Sequence, residues 1–332
     1  PSAVGRHTSG SPNVGLGGFG SFGSIGSNLG TDSGGFGGNA SLVNSETASN
    51  MGAFAQSRLN LSPKWRLSLG LRYDQLWFEG LDGTRINSGG PGGSVNTEYD
   101  LLPWLTSYAG GASVFGGIPL GESLIYNFAG QWDYTGLSSS RSQSYKAGFK
   151  GEEGPFSGDI HAYYTEIIGS HDRGNITRSF NRDITSRGFN ITGRYGNDTG
   201  FLRATYSGNT LRSDGSPLTS AEASFHGLQM GRTMTIEAAR HWPDLGLSLG
   251  ANGEYAFTDD TIADTPNKSY FVAGAYAQWT PEAAENLTLR FDVKNLLDET
   301  YVDRATSGVD NAQVIPFNEP GRTFLVSAKM EF

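Results

Sequence analysis

The sequence has no cysteine among its 332 residues, and no run of about 18 apolar residues occurs in it. The first absence excludes a disulfide framework and a thiolate metal site, and it suits a chain that crosses an oxidising compartment before folding. The second excludes a transmembrane helix. Charge is sparse, at 17% of residues, below the roughly 25% usual in soluble domains. The net charge of -9 comes without a Lys/Arg cluster, so the basic footprint that neutralises a phosphate backbone is missing and nucleic-acid binding is set aside. No basic start followed by an apolar segment opens the chain at Pro1, so no signal peptide is read there. What is abundant is glycine, 48 residues grouped with Ser, Asn and Asp, together with 12% aromatics. Those clusters are the vocabulary of turns and disfavour helix.

A membrane protein without long apolar runs has to be a closed sheet, the other structure that satisfies its backbone hydrogen bonds in lipid. The period of the sequence agrees. Trp65, Leu67, Leu69, Leu71 and Tyr73 alternate with Arg66, Ser68, Gly70, Arg72 and Asp74. Leu245, Leu247, Leu249, Ala251, Tyr255 and Phe257 alternate with Ser248, Gly250, Asn252 and Glu254. The pattern returns at Phe156 to Glu166, with Ile160, Ala162 and Tyr164 against Asp159, His161 and Tyr163, and again from Leu287 to Val293. Such stretches are long enough for tilted strands crossing an outer membrane, whereas soluble sandwich strands average about 5 to 6 residues. Charges recurring on the second face point to a wet lumen rather than a dry core. Trp65, Tyr73, Trp77, Tyr255, Phe257, Tyr270 and Trp279 suit interfacial girdles.

Connections alternate in length. Short ones are read at Ser62-Pro63, Gly116 to Gly121, Gly151 to Pro155, Gly196 to Thr199, His241 to Asp244 and Pro281 to Asn286. Longer polar ones are read at Glu79 to Glu98, Ile168 to Ile184, Thr210 to Ser224, Thr258 to Ser269 and Asp298 to Gly321. One rim trimmed and the other elaborated is the habit of outer-membrane barrels. The expected architecture is an all-β, transmembrane antiparallel β-barrel of about thirteen strands. Its strands begin at Met51, and residues 1–50 form a Gly/Ser-rich external loop whose GxG spacings lack the strand-to-helix context of a dinucleotide site. An odd count is not a complete single-chain barrel, so the expectation is a fragment or a half.

The closing segment carries a more specific signal. Phe291-Asp-Val-Lys-Asn-Leu-Leu-Asp-Glu-Thr-Tyr301, then Glu319-Pro-Gly-Arg-Thr-Phe324 and a terminal Phe332, closely resembles the end of TonB-dependent receptors, where an xNLFDxxY strand end precedes a PGRxF strand. Leu297 stands where Phe is usual. Ala53 to Arg58 with Leu69 to Asp74, and Ser142 to Lys150, resemble further strands of the same barrels. The signature positions Asn295, Leu296, Asp298, Tyr301, Pro320, Gly321, Arg322, Phe324 and Phe332 are read as structural. The resemblance implies a Gram-negative outer-membrane receptor for a ferric siderophore or haem, carried as cargo and not as a covalently bound cofactor. It implies a barrel of about 22 strands with an upstream plug, absent from this chain, that couples to the TonB-ExbB-ExbD complex. On that footing the chain holds residues 51–332 of the wall. Phe324, Val326, Ala328, Met330 and Phe332 share one face, and the terminal Phe332 resembles the signal read by the barrel insertion machinery.

No catalytic constellation is present, so no enzyme is expected, and the five histidines, His7, His161, His171, His226 and His241, share no metal-ligand spacing. His171, in the external Gly169-Ser-His-Asp-Arg173, is the candidate for an axial haem ligand, set against its reading as a solvated loop histidine. For an anionic siderophore, stacking and charge-assisted bonds would come from Trp132, Tyr134, Arg141, Arg173, Arg178 and Arg304 as a group. Asp259, Asp260 and Asp264 follow no calcium-loop pattern. A passive porin or an autotransporter barrel would account for the strands but not for the closing motif, and a soluble β-rich adhesin would account for neither.

Overall fold

The computed structural model describes residues 14–16, 20–21, 47–80, 83–118, 138–171, 181–218, 231–259, 268–304, 307–310, 313–316 and 318–331. Their backbone is mostly strand, with single 3-10 turns at Pro243–Leu245 and Glu282–Ala284. The strands are β1 (Val14–Leu16), β2 (Gly20–Ser21), β3 (Thr47–Asn60), β4 (Trp65–Glu79), β5 (Arg85–Leu102), β6 (Leu105–Gly117), β7 (Ser140–Glu153), β8 (Phe156–His171) and β9 (Asn181–Asn197). They continue with β10 (Gly200–Ser213), β11 (Ser216–Pro217), β12 (Arg232–Trp242), β13 (Leu247–Ala256), β14 (Tyr270–Trp279), β15 (Leu287–Lys294), β16 (Ser307–Asp310), β17 (Gln313–Pro316) and β18 (Thr323–Met330).

One antiparallel sheet runs β1-β3-β4-β5-β6-β7-β8-β9-β10-β12-β13-β14-β15-β18, with β2 also on β3, β11 on β10, and β16 paired with β17 apart from it. Nearly every neighbour in the wall is the next strand in sequence, the up-and-down order of an outer-membrane barrel. Among the described residues no strand joins β18 to β1, β2 or β3, so the sheet is open. Thirteen strands have eight or more residues, and β3 to β10 have 13 to 18 each. About 9 to 11 suffice to cross hydrocarbon, so the longer strands project beyond it.

Alternation sets the faces. Leu71 is 72% exposed, while the inward Asp74, three residues further along the same strand, is 2% exposed. Outward apolar residues exposed to what would be lipid include Leu69, Ile160, Ile191, Met234, Ile236 and Phe291. Aromatics at the short-turn rim (Trp65, Tyr99, Trp104, Phe156, Tyr195, Trp279) are exposed, as a girdle requires. Tyr270 does not join them: it is buried on the inner face, its hydroxyl donating to Glu254 Oε1 at 2.8 Å. The two small apolar clusters stand near the tops of the long strands: Leu76, Phe78 and Ile118 in one, Ile184, Leu211 and Leu218 in the other.

Two connections differ from the sequence reading. Glu79 to Glu98, read as a long loop, is a hairpin, because β5 starts at Arg85 and pairs with β4 from Glu79 down to Trp65. Its Gly-rich start, Ser88-Gly-Gly-Pro-Gly-Gly-Ser94, disguised a strand that the partner strand's register imposes. Gly116 to Gly121, read as a short turn, begins at the end of β6 on the rim of the longer connections, while the short rim is served instead by Pro103-Trp104 between β5 and β6. β3 opens at Thr47, ahead of Met51, and β1 and β2 pair along it.

Candidate functional site: the inner wall and its outer rim

Inward positions of β4 to β8 fall into register rows that gather charge. Glu98, Tyr108, Gly148 and His161 form one row, and Asp100, Thr106, Lys150 and Asp159 the next. Arg66 bonds both rows, through Nε to Glu98 Oε2 at 3.1 Å and through two nitrogens to Asp100, each at 2.6 Å. Lys150 Nζ meets Glu98 Oε1 at 2.5 Å, and Tyr108 donates to Asp159 Oδ2 at 2.7 Å. His161 Nδ1 contacts Asp159 Oδ1, and Lys146 lies over the Tyr108 ring. Further round the wall Arg203 pairs with Glu237, and Arg290 grips Asp292 while stacking on Tyr276 with 4.0 Å to the ring centroid. Each pair is a charge-assisted bond formed within the wall.

Toward the longer connections Arg72 Nε binds Asp74 Oδ2 at 2.6 Å beneath Leu76 and Phe78. A side chain at Gly52 would stand 2.6 Å from Asp74 Oδ1, so that glycine makes room for the buried carboxylate. Arg141, expected to face cargo, spends its Nη1 on Pro91 O at 2.8 Å and Ser113 Oγ at 3.0 Å. Arg304 is also committed: it is buried, donates to Phe257 O, and lies beside Asp259. Burial works against its charge, and Asp259, Tyr270 and Glu254 work for it. His241 Nδ1 contacts Ser248 Oγ at 2.8 Å on the short-turn rim, away from any cargo entrance. His171, read as a loop residue, is the last residue of β8, on the rim of the longer connections. Trp132, Tyr134, Arg173, Arg178, Asp260, Asp264, His7, His226 and Phe332 lie outside the described residues. Among the described residues no three His, Cys, Asp or Glu side chains group as a metal site.

The closing motif forms a knot at the top of β15. Asn295 and Asp298 take left-handed backbone, at φ 49° and 58°, which Asn and Asp tolerate best after Gly. Asn295 Nδ2 donates to Glu299 O at 2.8 Å and to Pro320 O at 3.2 Å, and its Oδ1 accepts from Glu299 N at 2.8 Å. Asp298 Oδ1 accepts from Arg322 N at 2.8 Å. A Cβ on Gly321 would come within 2.7 Å of that oxygen, so the glycine of the motif lets Asp298 reach its donor. Tyr301 packs tilted against Tyr270 with 4.7 Å between centroids. Burial, then the carboxylates of Glu319, Asp303 and Glu254, push its phenol up, keeping it neutral. Phe324 stacks on Phe291 on the outward face.

Sequence reasoning missed Glu98 and Asp100, because most of β5 was read as a loop from Glu79 to Glu98, and so it left Arg66 and Lys150, read on strands, without their partners. The alternation of Val95, Thr97 and Tyr99 with Asn96, Glu98 and Asp100 is the signal that marks them.

With this geometry in view, the known proteins can be compared. The family profile of the TonB dependent receptor-like β-barrel matches residues 4–296. The heme transporter BhuA of Brucella ovis is 27% identical over 298 residues, covering 85% of this chain and 44% of that protein. Among solved structures, the FrpB iron transporter from Neisseria meningitidis superposes with a TM-score of 0.71 at 18% identity, covering 87% of this chain and 45% of that one. The ferripyoverdine receptor of the Pseudomonas aeruginosa outer membrane, bound to ferripyoverdine, gives 0.66 at 15%, covering 87% and 39%. The chain therefore spans less than half the length of each of these relatives. These matches lend no support to the passive-porin or autotransporter readings. A wall of sequential antiparallel strands, with lipid-facing apolar residues outside, paired charges inside and the Asn295 knot closing it, belongs to the TonB-dependent receptor β-barrel family of the Gram-negative outer membrane.

Proposed function

We propose that this chain is part of the wall of an outer-membrane importer of an iron complex, haem before ferric siderophores, energised by TonB-ExbB-ExbD through a plug carried elsewhere in the receptor. The observation that carries the reading is the 27% identity to BhuA, a heme transporter, over 85% of this chain. His171 is the proposed axial ligand, since an imidazole at the outer rim is the group that would capture haem iron. Trp132, Tyr134, Arg173 and Arg178 are the proposed polar and aromatic contacts from neighbouring connections. Arg141 and Arg304 then serve by bracing the rim, because their guanidiniums are already bonded to the wall. Phe332 is proposed as the terminal signal for barrel insertion.

The test is growth of an iron-starved strain lacking the gene, supplied with haem or with a ferric siderophore panel. Complementation by the full-length gene should restore growth on haem and lose it when the energising complex is deleted. Restoration on a siderophore alone would replace haem as the cargo. Growth on haem that persists without the energising complex would refute active import.

A further inference from the structure

The outward face of β6 to β9 is sculpted by its register. Ala109, Ala147 and Ala162 share one row, and Gly151, Gly158 and Gly193 share another. Between them stands a row of large side chains, Phe149, Ile160 and Ile191. The small rows sink below the large one and leave two hollows, of about 510 and 430 Å³, which meet at those three residues. Their linings are mostly apolar. Trp104 bounds the lower hollow with its ring over Gly151, where a Cβ would come within 3.4 Å of a ring carbon.

Depth and charge identify what fits there. From Glu153 to Ala147 the strand advances six residues, about 20 Å at about 3.3 Å each. With strands tilted by about 45°, that is about 14 Å along the membrane normal, close to half the hydrocarbon thickness of about 30 Å. The hollows thus begin at the short-turn rim and end at the bilayer middle, the reach of one acyl chain of the periplasmic leaflet. At the rim the lower hollow is edged by Glu153 on the outward face, with Glu152 next to it at the strand end, and both are exposed. Among the described residues no Lys or Arg lines either hollow. Lys150 and Arg66 are bonded to Glu98 and Asp100 on the inner face, and Lys146 lies over the Tyr108 ring there.

We propose that these hollows hold a single phospholipid of the periplasmic leaflet whose headgroup ends in an ammonium, its chain lying over the alanine and glycine rows and its ammonium at the acidic strand end, against Glu153 with Glu152 behind it. An anionic headgroup brings no cation to that edge and is disfavoured by the two carboxylates.

Native mass spectrometry of the full-length receptor in mild detergent tests this, with phosphatidylethanolamine or phosphatidylglycerol added and then washed out. One phosphatidylethanolamine should be retained about tenfold more tightly than phosphatidylglycerol. Glu152→Gln with Glu153→Gln should bring the two lipids within about twofold of each other, and Ala147→Leu, which fills the upper floor, should abolish retention of both. Equal retention of the two lipids by the unaltered receptor overturns the proposal. So does unchanged retention by Ala147→Leu, or a dimer that Ala147→Leu dissociates, which would give the hollow to a second copy. If Ala147→Leu fails to insert, the carboxamide pair decides alone, since it leaves the wall packing intact.

Discussion

Replacing Asn295 separates the two physical contributions to the closing knot. The side chain is 5% exposed and makes three hydrogen bonds, to Glu299 O, Pro320 O and Glu299 N. At about 1 kcal/mol each, their loss costs about 3 kcal/mol. The backbone at φ 49° adds about 1 to 2 kcal/mol for a residue with a Cβ and no local hydrogen bond. Asn295→Gly keeps the backbone free and loses the bonds, so it should destabilise by about 3 kcal/mol, and Asn295→Ala by about 4 to 5 kcal/mol. Urea unfolding of the full-length receptor in lipid vesicles, followed by tryptophan fluorescence and by heat-modifiable gel mobility, reads both. Alanine no worse than glycine would refute the left-handed strain, and losses below about 1 kcal/mol for both would refute the buried hydrogen bonds.

Depth governs the cost of a charge on the outer face. Ile236→Lys, in the middle of β12, should cost about 2 to 4 kcal/mol in a bilayer refolding titration, and Thr235→Lys on the inner face much less. Leu249→Lys should cost only about 0 to 1 kcal/mol, because Leu249 stands level with Arg240, which snorkels over Trp242 near the short-turn rim; equal costs at all three sites would reject the assignment of faces and depth. Gly321→Ala should push Asp298 off Arg322 N and destabilise by about 1 to 3 kcal/mol, and adding Asp298→Gly, which removes the clash and tolerates the left-handed backbone at φ 58°, should cost less than the sum of the two single changes; strictly additive effects would show the glycine acts otherwise. His171→Ala in the full-length receptor should weaken haem binding at least about tenfold, measured by Soret titration, and unchanged affinity would remove His171 as ligand.

Much of this fold was legible because a tilted membrane strand imposes period two on its residues. β4, β8, β13 and β15 were readable from their alternation, and their faces follow it in the structure. β5 was not, since Ser88 to Ser94 offers glycine and proline where alternation needs side chains, and the pairing with β4 supplies the missing specification. Tyr270 reads as a girdle residue in a sequence window, but only the register against Glu254 and Val272 on β13 and β14 shows which face it takes. The knot was visible as a motif, while its reasons, an Asn bridging 25 residues to Pro320 and a Gly yielding to Asp298, are contacts that only the folded chain makes. Arg141 and Arg304 looked like free cations because a sequence does not show that a guanidinium already has its acceptors.

The self-pairing of Arg66 and Lys150 with Glu98 and Asp100, of Arg203 with Glu237 and of Arg290 with Asp292 leaves these stretches of the inner face electrically quiet. Opposite charges in contact leave a field that fades within a few ångströms, and salt screens the remainder beyond about 8 to 10 Å. A solute drifting down such a surface is neither seized nor repelled for its sign. Along these stretches it is the relief of the wall, not its sign, that a neighbouring surface feels.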